Sequence, residues 1–424
     1  MRNNRFDRNG ANGANGTHGA NGAFGAYGAY GAHGVAALFL ILSLTIFCAC
    51  SSDSSEEMPV TPTTSVPVEV MGCVTPFEEN VATTRATGNW LPPTGYSLFG
   101  ENQSIGICFT QDNKEPMTGY FFKSSGKWRS TVELTSEQAG TYYLYGYTPH
   151  NASLSCKISS SATEGDNTNY SYGAVLTIEN LPAITPEDVC VVIGAKNGKS
   201  YYQANADYEV PPLVRGDFSY AADPIPTSMS GKANYVYLLF DHIYAALRVT
   251  MKVEGTYNDL RTIKLKKLEL STMAGDVATK KKTDATVTLV KTAGTDPITS
   301  VVFTPRGDEV GSDSVYSNPE GLELTTTDSE YLCHFMPLGV SKLILTSTYD
   351  IYDKNGTTEH PEGNLIRKNA KATNTMVLKD LFTGQTEALR GRRYNVHLTI
   401  HPTYLYVLSD PDLDNPTVEV QGGS

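Results

Sequence analysis

Tryptophan is scarce, 2 residues against 25 tyrosines. A chain short of tryptophan but rich in tyrosine, threonine, valine and glycine favours strands and turns over helices. No stretch holds a long helical period. Basic charge is thin as well. The net charge is −12, and the leader holds Arg2, Arg5 and Arg8 against Asp7, so the remainder is more acidic still. That excludes a nucleic-acid partner, because no basic field would meet the phosphates. The two basic clusters, Lys264-Leu265-Lys266-Lys267 and Lys280-Lys281-Lys282, read as solvated strand faces and turns. There is no CxxC pair, no metal-ligand spacing and no G-x-S-x-G elbow. No cofactor, no metal and no catalytic residue is expected, and the chain is read as not an enzyme.

Cysteine is sparse and scattered, 7 residues in 424. Cys48 and Cys50 sit at the end of the leader. Cys73, Cys108, Cys156, Cys190 and Cys333 form an odd, widely spaced set that suits small buried side chains. One disulfide is compatible with that set; a disulfide framework is not.

The leader carries the strongest local signal. Val35 to Phe47 is an unbroken apolar run, short for a membrane span. It ends in Phe47-Cys48-Ala49-Cys50, followed by an acidic, serine-rich stretch. A small residue before a cysteine at the end of an apolar run resembles a bacterial lipoprotein signal. Cys50 is then the lipidated first residue of the mature chain, with Cys48 as the alternative. Upstream, Gly10 to Gly34 repeats Gly-Ala-x without proline, which argues against a collagen helix and leaves too little to bury for a core.

The expected organisation is a leader at 1–50, a linker with a removable N-terminal strand at 51–85, and an N-terminal β-sandwich at 86–230. A C-terminal β-sandwich at 231–403 and a terminal segment at 404–424 follow. Val66, Val68, Val70 and Val74 alternate as a short strand. Arg85, set among small polar residues, suits an arginine-specific protease that would leave Ala86 as the new N-terminus. Strand-like runs then recur at short spacing: Ile105–Phe109, a hairpin around Ser124–Lys127, the aromatic Tyr142-Tyr143-Leu144-Tyr145, and Val189–Gly194. The spacing predicts sandwiches. The Pro/Ser stretch near 223–232 is the expected boundary, with Tyr235 to Phe240 opening the second block.

The chain ends echo each other. Pro67-Val68-Glu69-Val70-Met71-Gly72 near the mature start matches Thr417-Val418-Glu419-Val420-Gln421-Gly422 near the end. A terminal strand with that pattern could fill the sheet position that the N-terminal strand leaves, which is strand addition to an exposed edge. Val68 and Val70 on one side, and Tyr404, Tyr406, Val418 and Val420 on the other, are the expected exchanging residues.

Several stretches in order resemble the fimbrillin family of Bacteroidia-type bacteria. They are the lipoprotein leader, the arginine after a short strand and the Tyr142–Tyr145 strand. The Phe240-Asp241-His242-x-x-Ala245 stretch and Leu389-Arg390-Gly391-Arg392-Arg393-Tyr394-Asn395-Val396 complete the set. The resemblance spans the mature chain and implies two tandem transthyretin-like β-sandwich domains, all-β. It further implies a pilus subunit exported to the outer membrane through a lipid (palmitate-type) anchor, cut by an arginine-specific protease, and polymerised by strand exchange. Its implied partners are other fimbrial subunits and a host or bacterial surface receptor. A second expectation from the residues is a monomeric outer-membrane lipoprotein that binds glycans through exposed Tyr and Trp.

Other motifs carry less. Gly194-Ala195-Lys196-Asn197-Gly198-Lys199-Ser200 is one residue short of a phosphate loop, and Asn197-Gly198 reads as a hairpin turn. Asp410, Asp412 and Asp414 lack the glycine and glutamate of a calcium loop. His242 reads as a packed or hydrogen-bonded histidine, and His397 with His401 lacks a third ligand.

Overall fold

Alternation of apolar and polar residues sets the strands. In Lys280–Val290 the side chains of Thr283, Ala285, Val287 and Leu289 are buried, and the residues between them are not. In Arg261–Ala274 the pattern skips a step: Ile263 and Leu265 point inward, and so do Leu268 and Leu270. A bulge between Leu265 and Lys267 absorbs the extra residue and returns the apolar set to the core. The computed structural model describes residues 65–75, 89–91, 104–124, 127–159, 169–197, 214–222, 235–292, 294–330, 334–356, 359, 361, 363–400 and 417–419, all within the unit Val60–Ser424.

In chain order the strands are β1 (Ser65–Val74), β2 (Asn89–Leu91), β3 (Ile105–Thr110), β4 (Met117–Ser124), β5 (Lys127–Thr135), β6 (Gly140–Thr148), β7 (Ser153–Ile158) and β8 (Gly173–Pro182). Then come β9 (Cys190–Asn197), β10 (Ser219–Ala222), β11 (Tyr235–His242), β12 (Ala245–Val253), β13 (Arg261–Ala274), β14 (Val277–Ala278), β15 (Lys280–Val290) and β16 (Ile298–Val310). The rest are β17 (Ser312–Leu324), β18 (Ser329–Glu330), β19 (His334–Met336), β20 (Lys342–Asp353), β21 (Leu365–Val377), β22 (Arg393–Ile400) and β23 (Thr417–Glu419). Helix among the described residues is confined to short turns such as Gly255–Leu260 and Leu378–Leu381.

The first sheet runs β6-β3-β4-β5-β1-β11-β9, and β9 pairs back onto β6 through Tyr147↔Val191 and Thr148↔Cys190. The pairings therefore form a closed ring, with β10 on the same edge of β6 as β9. All are antiparallel except β1 with β11. A separate sheet, β16-β15-β8-β7, contributes Leu176, Ile178, Val287 and Leu289 to the same first core. In the second core, β12 and β22 supply Val249, Met251, Val396 and Leu398, facing Leu268, Leu270, Leu343 and Leu345 of β13 and β20.

The abundance of tyrosine has a structural use. Tyr145, Tyr147 and Tyr244 are fully buried, yet their hydroxyls donate to the carbonyls of Tyr170 (2.6 Å), Ala152 (2.5 Å) and Pro182 (2.6 Å). Each ring fills the core while its polar end reaches backbone.

Sheet membership does not divide at 230/231. Tyr235–His242, expected to open the second block, lies in the first ring between β1 and β9. β15, from the expected second sandwich, pairs with β8 of the first half and carries β16 on its other edge. Alternation fixed these segments as strands but carried no information on partners. The chain crosses from the first core to the second at Ile243 and Tyr244, both still in the first, and Ala245, already in the second. The leader at 1–50 lies outside the described residues.

Candidate functional site

The site is the slot that β1 occupies. Val68 and Val70 are buried, 0% and 3% exposed, and Val74 closes the same face at 9%. Glu69 points the other way, and its carboxylate lies 3.8 Å from Arg129 of β5. One edge of β1 is taken by β11 in parallel register, Glu69↔Tyr235 through Val74↔Phe240. The other edge is shared: β5 pairs with Ser65–Glu69, and β2 with Gly72–Val74. The β5 ladder shifts between Pro67 and Glu69, where proline has no N–H to donate. The strand expected around Val68 and Val70 is thus present, with neighbours on both sides.

A polar latch follows β1. Thr75 is buried, its N–H donates to Phe240 O at 3.0 Å, and its carbonyl accepts from His242 Nε2 at 2.6 Å. The Thr75 hydroxyl donates to Asp241 Oδ1. Asp241 also accepts from Arg390 Nη1 at 2.8 Å and lies 3.9 Å from Arg215 Nη1. Arg390 reaches Asp296 with its other nitrogen and His242 O with Nη1. Burial alone would lower the His242 pKa. The charge and hydrogen bond of Asp188, 2.7 Å from Nδ1, together with Asp241 and the Thr75 carbonyl, outweigh burial and hold it above the usual imidazole value.

Two motifs that are far apart in sequence meet in this latch. Phe240-Asp241-His242 supplies the carboxylate and the imidazole, and the Leu389–Val396 stretch supplies Arg390. Sequence reasoning missed Asp188, Arg215 and Asp296. Asp188 alone left a trace, two residues before Cys190 and hence on its face.

The C-terminal residues fall at another edge. β23 pairs antiparallel with β22 of its own chain, Val418 opposite Leu398 and Glu419 opposite His397. β23 therefore forms the edge of the sheet β18-β12-β22-β23, β1 sits in the closed ring, and the two echoing stretches occupy different sheets. Cys50, Arg85, Ala86, Tyr404, Tyr406 and Val420 lie outside the described residues, as do His401 and the Asp410–Asp414 turn. The phosphate-loop look-alike begins inside β9. A Cβ on its Gly194 would stand 2.7 Å from Val214 O, so close packing, not a ligand, accounts for that glycine.

No family model matches the chain, and no curated protein is similar to it in sequence. Among solved structures it is similar to a fimbrial protein from Bacteroides vulgatus, at 13% identity and a TM-score of 0.33, covering 84% of this chain and 98% of that one. It is also similar to the fimbrial anchor protein Mfa2 from Porphyromonas gingivalis, at 10% identity and a TM-score of 0.26, with the same shares covered. Coverage is nearly end to end but the superposition is loose, and neither fold nor function follows from it.

Proposed function

We propose that this chain is a subunit of a cell-surface fimbria, a structural and adhesive protein and not an enzyme, that polymerises by strand exchange at the β1 slot. The observation that carries the reading is that β1 completes a closed ring from a position where one cut at Arg85 would separate it from everything else. The ring holds β1 by backbone hydrogen bonds and by valines alternating into the core, the two elements an added strand from another copy could reproduce. In this reading Cys50 carries the lipid that brings the precursor to the outer membrane, and cleavage before Ala86 removes lipid and β1 together. Residues 404–424 of a neighbour then enter the slot with Val418 and Val420 inward.

The test mixes three proteins. Subunits cut after Arg85 should form ladders. Arg85→Ala subunits should keep β1 and remain monomeric under the same protease. Cut subunits lacking residues 404–424 should accept a strand without donating one, so adding them in equal amount should shorten the ladders at least about twofold. Ladders that grow undiminished from tail-deleted subunits alone would reject the donor role of the tail.

A further inference from the structure

Three polar side chains, Asp188, Cys190 and His242, converge inside the first core, with Thr148 opposite Cys190 on the next strand. His242, Cys190 and Thr148 lie opposite one another on β11, β9 and β6, one row across three adjacent strands. Asp188 precedes β9 and turns its carboxylate onto the same row. His242 is 2% exposed, Cys190 and Thr148 are 0%, and the Asp188 side chain is 9%. The Nδ1 of His242 lies 2.7 Å from Asp188 Oδ2 and 3.4 Å from Cys190 Sγ. The donor atoms of Asp188, Cys190 and His242 all fall within 4.8 Å of one another.

An imidazolium–carboxylate pair with the Cys190 thiol beside it still leaves two buried oxygens over. Asp188 Oδ1 and Thr148 Oγ1 are buried and find no hydrogen-bond partner among the described residues. A buried oxygen without a partner carries the full desolvation penalty. The far nitrogen of His242 is meanwhile fixed on the Thr75 carbonyl, the arrangement that orients a metal-ligating imidazole through its second nitrogen.

We propose that Asp188, Cys190 and His242 form a site for one divalent cation of the zinc class, with the Thr148 hydroxyl beside its fourth position. Nitrogen, thiolate and carboxylate together suit a borderline-soft ion, not calcium or magnesium. Tetrahedral bonds of ordinary zinc length place nitrogen and sulfur about 3.6 Å apart, and nitrogen and oxygen about 3.3 Å. The Nδ1–Sγ distance is already close to that. The carboxylate must withdraw by about 0.6 Å, a small rotation of Asp188. Binding displaces the thiol proton and the Nδ1 proton to solvent as the cation arrives, so the buried site exchanges two protons for a double charge.

The site's spacing hides it from the sequence. Two ligands come from one strand entrance and the third from a strand that follows a long intervening stretch. The three proposed ligands come from the entrance of β9 and from β11, so the inference does not rest on fimbrial assembly; loss of β1 would remove only the Thr75 carbonyl behind His242.

Cobalt(II) is the probe. The full chain is unfolded in a chelator, then refolded with and without Co2+, because the buried site is reached most directly during folding. One equivalent should remain bound after desalting, with a near-ultraviolet thiolate-to-cobalt charge-transfer band. Cys190→Ser should lose that band entirely. Outer partners of a metal ligand alone contribute about 10–100-fold, so His242→Gln should weaken binding at least about tenfold. Thr148→Val should retain the band. No retained cobalt in the unaltered chain would overturn the proposal, independently of whether any variant folds. So would a charge-transfer band that persists in Cys190→Ser, which would place the metal on another of the seven cysteines.

Discussion

A chain starting at Ala86 is expected to melt on the order of 10 °C below the chain that retains residues 65–75, and to recover when a peptide of those residues is supplied. Three buried valines leave with β1, Val68, Val70 and Val74. Burying each is worth about 1.5–3 kcal/mol, a large share of the roughly 5–15 kcal/mol that holds a domain folded. The loss also opens both ladders, so β5 and β11 each expose a row of backbone groups. Peptide at about 100 times its dissociation constant should return about 2.7 kcal/mol, read as a rise in melting temperature. The same peptide with Val70→Asp should return nothing, because a carboxylate would enter a position that is 3% exposed. Equal melting temperatures for the two chains would show that β1 is not part of the working core.

Asp241→Ala is expected to cost about 3–5 kcal/mol, the range for breaking a buried ion pair by removing one partner. Asp241 is 1% exposed and takes the Thr75 hydroxyl, the Arg390 guanidinium and the His242 N–H at once. Its removal leaves Arg390, whose side chain is only 14% exposed, with Asp296 as its remaining carboxylate partner. The double variant Asp241→Ala, Arg390→Met should cost clearly less than the two single costs added, because both single changes break the same direct contact. Urea unfolding of the four proteins measures this. A single-variant cost under about 1 kcal/mol would mean that the latch is solvated in solution.

Much of the architecture could be read from residue order, and the partners could not. Val68 and Val70 announced a half-buried strand, and the Tyr120–Leu134 stretch a hairpin, because both signals are local. The parallel pairing of β1 with β11 joins residues such as Thr75 and Asp241, 166 positions apart, and no alternation pattern encodes it. The same holds for β15. Its inward Ala285, Val287 and Leu289 specify a face, and only packing decides that the face covers the first core. His242 looked like an ordinary packed histidine from its strand-entry position. Its company of Asp188, Cys190 and Thr148 arises from sheet register, which composition and spacing do not state.

The interleaving of β8 with β15 also sets an order of events during synthesis. Asn180 donates its N–H to Asp284 Oδ1 at 2.8 Å across 104 residues of chain. The first core therefore cannot be completed by the first half of the chain, and it waits for β15 and β16 to emerge. Long-range closure of this kind is slow to nucleate. A ribosome that has finished β9 holds a segment still lacking its ring partner β11 and its cover β15. The topology thus leaves the first core uncovered until β15, ending at Val290, has been made.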